Sequence, residues 1–130
     1  MEKQQLKSKS ILKYRAFQFS LDIIDLLAIL PRNYAFEIIG KQLLRSATSV
    51  GANIVEAQAG RTRKDFINYY HIALKSANES KYWLAILNEK IRTAKEQERI
   101  KYLLKEAIEI SNMLAASLLT LKGKKSHEKF

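Results

Sequence analysis

The sequence predicts an all-α protein, an up-down-up-down antiparallel four-helix bundle. Two features carry that reading: four stretches whose apolar residues alternate at spacings of four and three, and a near absence of chain punctuation. Four glycines and one proline in 130 residues are far too few for an all-β fold with its many turns. Hydrophobic residues make up 47% of the chain, which excludes a mainly disordered protein and lets one domain bury a core unaided.

Helix 1 is expected over about residues 8–30, after a polar, lysine-rich start. It carries two apolar stripes. Leu12, Ala16, Phe19, Ile23, Leu26 and Leu30 form one; Tyr14, Phe17, Leu21, Ile24 and Ala28 form the other. At about 100° per residue the two lie well apart around the helix. A rim helix of a monomeric bundle needs one such face, so the second predicts another subunit. Pro31 ends the helix, because proline disfavours helical geometry in the residue before it.

Helix 2 is expected over 35–57, with Leu43, Ala47, Val50, Ile54 and Ala57 as its seam. Its middle, from Arg45 to Asn53, is rich in small residues. Gly51 there costs about 1 kcal/mol relative to alanine, which suits close approach of a neighbour. Ala59-Gly60-Arg61-Thr62 forms the next turn, a glycine to stop one helix and a threonine to start another. Asp65, three residues on, suits a helix N-terminus. Helix 3 follows over 63–92 with Phe66, Tyr70, Ala73, Ala77, Ser80, Leu84 and Leu87 inward. A polar turn at 93–96 precedes helix 4, expected over 98–121, whose seam is Ile100, Leu104, Ala107, Ser111, Leu114, Leu118 and Leu121. Residues 122–130 read as a basic, flexible tail. The whole chain, 1–130, reads as a single domain.

The formal net charge is +10, from 23 Lys and Arg against 13 Asp and Glu, which favours an anionic partner. In an up-down-up-down bundle the start of helix 1, the helix 2–3 turn and the end of helix 4 share one pole. Lys9, Lys13, Arg15, Arg61, Arg63, Lys64, Lys122, Lys124 and Lys125 gather there, with Lys3, Lys7 and Lys129, and form the candidate nucleic-acid-binding surface. Phosphate contacts of this kind give affinity without sequence readout. The basic pole could also meet an anionic membrane surface, but no helix sets a purely basic face against a lipid-ready one. Within 11–30, Lys13, Arg15, Asp22 and Asp25 interrupt the apolar run, so no membrane span is expected. Cysteine is absent, which suits a reducing cytoplasm and leaves no disulfide, thiolate metal site or cysteine nucleophile.

The residues LLRSATSVGANIVEAQ, followed by KDFINYYHIALKSANESKYWL, resemble the four-helix-bundle proteins encoded in intervening sequences of 23S ribosomal RNA. Arg45, Ser46, Ser49, Asn53, Ile54, Glu56, Asp65, Phe66, Ala73, Ser76 and Glu79 carry the likeness. It implies an all-α bundle assembling into a ring-shaped homopentamer. A more distant relative is the accessory variability protein of diversity-generating retroelements, which binds a reverse transcriptase and nucleic acid through a basic surface. One departure is Glu56-Ala57-Gln58, which stands where many relatives have Glu-Gly and leaves Gly60 as an alternative stop for helix 2.

Arg45, Ser49, Asn53 and Glu56 line one stripe of helix 2, and Ser76 and Glu79 share a face of helix 3. The functional reading is a polar pocket for phosphate or a neighbouring subunit. The structural reading, which is favoured, is an interhelical hydrogen-bond network that fixes register. Catalysis is not expected. His71 and His127 are the only histidines, no Glu-x-x-His pair or glycine-rich phosphate loop occurs, and Glu56 and Glu79 have no companion ligands. No metal or other cofactor is expected. Tyr69, Tyr70 and Trp83 could stack bases, though aromatics at helical spacing more often pack. The competing class is an oligomeric scaffold that docks a protein partner such as a reverse transcriptase or another nucleic-acid enzyme.

Overall fold

The computed structural model describes the backbone of residues 2–128 and the side chains of residues 11–122. Four helices run in order, α1 (Glu2–Ile29), α2 (Tyr34–Ala59), α3 (Arg63–Lys90) and α4 (Ala94–Glu128), with no strand among the described residues. Their connections are too short for anything but antiparallel neighbours. Each helix packs on the next, and α1 closes the ring against α4.

The ends show why the chain breaks where it does. The Asn33 side chain accepts hydrogen bonds from the backbone of Ala35 (2.8 Å) and Phe36 (3.4 Å), so it caps α2 just after Pro31. Thr62 does the same for α3, its hydroxyl accepting from the Asp65 backbone at 3.0 Å. Gly60 ends α2, two residues beyond the expected stop at Ala57, but not in the left-handed region. Its φ of −66° is open to any residue. Space decides instead, because a Cβ at Gly60 would stand 3.3 Å from both the Ala57 carbonyl oxygen and the Asp65 Cβ.

Three boundaries differ from the sequence reading. Helix α1 begins at Glu2, ahead of Ser8. Helix α3 stops at Lys90, where the Gln97 side chain donates to the freed Ile91 carbonyl at 2.7 Å and tightens the turn so that α4 starts at Ala94. Helix α4 then continues to Glu128, across most of the stretch expected as a tail.

The core is made where the seams meet. Leu12, Ala16, Phe19, Ile23 and Leu26 are buried on α1, and the expected seam of α2 is buried throughout. On α3 all the expected positions are buried except Phe66, which is half-buried against the core. On α4 the register shifts: Leu103 and Ile110 are buried, whereas Leu104 and Leu121 are only partly covered. Small residues let the helices approach. An added Cβ at Gly51 would lie 3.6 Å from Ala16, while one at Gly40 would crowd Leu27 at 3.1 Å. The Ser46 and Ser80 hydroxyls, both buried, hydrogen-bond across α2 and α3 at 2.9 Å. The second apolar stripe of α1, by contrast, faces outward: Tyr14, Phe17, Leu21, Ile24 and Ala28 are all exposed.

Candidate nucleic-acid interface

Antiparallel packing brings the α2–α3 turn beside the end of α4. The link is direct, since the Arg63 guanidinium donates to the Leu121 carbonyl oxygen, one of the acceptors near the C-terminal end of α4. Arg61, Arg63, Lys64 and Lys122 are all exposed around this junction. Lys13 is exposed nearby on α1, at the edge of a groove that α1 forms with the C-terminal half of α2. Five of the expected cations thus gather toward one pole. The side chains of Lys9, Lys124 and Lys125, like those of Lys3, Lys7 and Lys129, lie outside the described residues.

Arg15 departs from the expectation. Its guanidinium is partly buried on the opposite shoulder of α1, forks onto Glu106 at 2.7 and 2.9 Å, and also pairs with Glu109. Hydrogen bonding to Glu106 raises its pKa above the ordinary arginine value, partly opposed by desolvation and aided by Glu109. With two carboxylates already on it, Arg15 is an α1–α4 clasp, and it leaves the phosphate-contacting set. Sequence reading missed its partners because they stand 91 and 94 residues away on a helix of mixed charge.

The polar stripe resolves into two hydrogen-bonded groups. Ser49 joins Ser76 (hydroxyl to hydroxyl, 2.9 Å), and the Asn53 amide donates to the Ser49 carbonyl (2.8 Å) and hydroxyl (3.0 Å). One turn along, Arg45 pairs with Glu79, which also accepts from the Trp83 indole at 3.0 Å, while Gln42 accepts from Arg45. These bonds satisfy the polar atoms and tie α2 to α3. Glu56 does not join them; it is exposed near the end of α2.

Tyr70 is buried in the core, unlike a base-stacking ring, and packs on Phe66 with ring centroids 4.3 Å apart. Its hydroxyl is buried without a protein partner, and desolvation pushes its pKa up to about 12. Tyr69, His71 and Trp83 are half-buried. Among the described residues no cluster of three or more His, Cys, Asp or Glu could hold a metal, and no helix is long and apolar enough to cross a membrane.

A bundle of this kind, with hydrogen-bonded helix seams and one cationic end, defines an all-α protein built to present a surface. The model of the family described as 23S rRNA-intervening sequence protein matches residues 8–116, and the chain belongs to that family. A solved structure, of a protein of unknown function from the S23 ribosomal protein family of Bacteroides thetaiotaomicron, is 35% identical. The match covers 85% of this chain and 97% of that one, with a TM-score of 0.75. None of the curated proteins matches the chain.

Proposed function

We propose that the protein is a non-enzymatic, basic, oligomeric bundle that binds RNA or DNA through phosphate contacts without strong sequence specificity. The supporting observation is the convergence of Arg61, Arg63, Lys64 and Lys122 where α2, α3 and α4 meet, with Lys13 close by. Arginine and lysine at a helix-end junction meet phosphates by charge and by fork geometry, and no groove-reading helix is needed. The family's name ties its members to an intervening sequence of 23S rRNA, which suits RNA as the polyanion. The exposed second stripe of α1 supports assembly with further copies, and the resemblance implies five in a ring in the cytoplasm. Parallel subunits in such a ring would pool their basic poles on one face.

Titration with RNA and DNA at two salt concentrations tests this reading. Binding is expected with a Kd on the order of a micromolar or tighter at low salt, fading steeply by about 0.2 M as counterion release loses its advantage. The triple substitution Arg61→Ala, Arg63→Ala, Lys64→Ala weakens it at least tenfold while the bundle stays folded. Salt-independent binding, or none at all, would remove the nucleic-acid reading. The exposed α1 stripe would then favour the second reading, a scaffold that docks a protein partner, with charge steering the encounter.

A further inference from the structure

Two unlike apolar flanks lie on opposite sides of this bundle. The Ser20 hydroxyl donates to the Ala47 carbonyl, which marks the side of α1 turned toward α2. At about 100° per residue, Phe17, Leu21 and Ile24 fall on the shoulder between that side and solvent. Phe17 is 62% exposed and borders a groove of about 600 Å³. Val55 stands on its α2 side, and Gly51 and Ala52 line it with little side chain. Gly51 is informative here. A Cβ would meet Ala16 at 3.6 Å, an ordinary contact, so packing within the chain does not demand glycine at that position. Its absence of a side chain leaves the groove open to a visitor from outside.

The other flank is marked by the Lys81 ammonium donating to the Ser111 hydroxyl, which fixes the side of α4 turned toward α3. Ile108 and Leu119 fall on the solvent shoulder of that side, 42% and 71% exposed, with the half-buried Ala115 between them. Because the helices follow one another around the bundle, the α1–α2 flank and the α3–α4 flank face away from each other.

We propose that the α1–α2 flank of one copy packs on the α3–α4 flank of the next, with all copies pointing the same way. This rests on the oligomeric reading above and assigns its surfaces. A two-fold pairing of the α1–α2 flank with itself would leave Leu119 and Ile108 in water; head-to-tail contact covers both flanks of every copy inside a closed ring. Charge agrees at matched heights. Asp25 and Glu37 are exposed on the first flank in the half remote from the basic pole, and Lys101 and Lys105 are exposed in that half on the second. A cyclic arrangement brings equal heights together, so acids meet lysines.

Two double variants test the assignment, each spoiling one flank: Phe17→Glu with Leu21→Glu, and Ile108→Glu with Leu119→Glu. Light scattering after size exclusion is expected to show wild type larger than two chains and each variant alone at single-chain mass. Mixed together, the variants should form a two-chain species and nothing larger, because each retains the flank the other has lost. Wild-type-like assembly of the Ile108 and Leu119 variant, or a mixture that stays monomeric while wild type assembles, overturns the flank assignment alone. A monomeric wild type overturns the oligomeric reading itself, and the nucleic-acid titration stands apart from both. Should circular dichroism show either double variant unfolded, Leu21→Lys and Leu119→Lys carry the same mixing test.

Discussion

Helix α1 carries two stripes of nearly equal apolar content, and the fold treats them oppositely. Phe19 is 1% exposed and Phe17, two residues earlier, is 62% exposed. Both rings come from one helix with one periodicity, so composition did not decide between them. Neighbours did: α2 and α4 cover the first stripe and leave the second to solvent. Burying the inner ring contributes roughly 3 kcal/mol of transfer free energy, and the outer ring contributes little of this within one chain. The difference teaches that the period of a sequence locates faces, while the partners of each face are set by the whole assembly.

The largest expected effect breaks the inner stripe. Phe19→Ala should destabilise the folded chain by about 3–5 kcal/mol, the cost of transfer plus a cavity that the four helices cannot fully close. Phe17→Ala, measured the same way by urea unfolding at low protein concentration, should cost under about 1 kcal/mol. Equal losses would mean that both stripes are buried within one chain, and the case for a partner on the outer stripe would disappear.

A second contrast lies within the core. Tyr70 keeps its ring among apolar neighbours and its hydroxyl without a protein partner. Its folded pKa, about 12, stands above the unfolded value of 10.0, so the unfolded chain loses this proton first as pH rises. Its contribution is therefore whole below about pH 10 and falls away between pH 10 and 12, by about 2 kcal/mol. Tyr70→Phe should flatten that alkaline decline and leave neutral-pH stability unchanged or slightly higher, since it removes a buried hydroxyl without opening a cavity. An unchanged alkaline slope in the variant would show that other groups govern it.

The Arg15 clasp ranks next. Arg15→Leu keeps the stem's packing but leaves Glu106 partly buried without its cation, at a cost of about 1–2 kcal/mol. Pairing it with Glu106→Gln in a double-mutant cycle should recover part of that loss, because the uncompensated charge goes with the partner. Strict additivity of the two substitutions would mean that Glu106 contributes nothing to Arg15. Nucleic-acid affinity should change little in Arg15→Leu, in contrast to the triple substitution at Arg61, Arg63 and Lys64.

The sequence was legible wherever one residue type could face only one way. Seams on α1, α2 and α3 read directly from their spacing, and Thr62 and Asn33 act where their hydrogen-bonding oxygens have orphan backbone donors to accept from. Helix α4 was less legible because Leu103 and Leu104 stand side by side, and so do Leu118 and Leu119. Either member of such a pair satisfies the helical period, and docking on α1 and α3 then selects Leu103 and Leu118 for burial. The basic pole followed from topology, since short connections force the ends together. Which of its cations are free did not follow, because Arg15 meets its carboxylates only once α1 and α4 are side by side.

The smallest expected effect asks what Gly51 is for. In a chain held monomeric by Phe17→Glu with Leu21→Glu, Gly51→Ala should raise stability by about 0.5–1 kcal/mol, the helix-propensity difference. The new methyl has room, with Ala16 at 3.6 Å. Gly40→Ala on the same background should gain less, because Leu27 at 3.1 Å must give by a few tenths of an ångström. In the assembled wild-type background the added methyl at position 51 narrows the groove, so the gain should shrink or reverse. Equal gains in both backgrounds would show that nothing from a neighbouring copy reaches the groove floor, and the groove would then belong to the single chain alone.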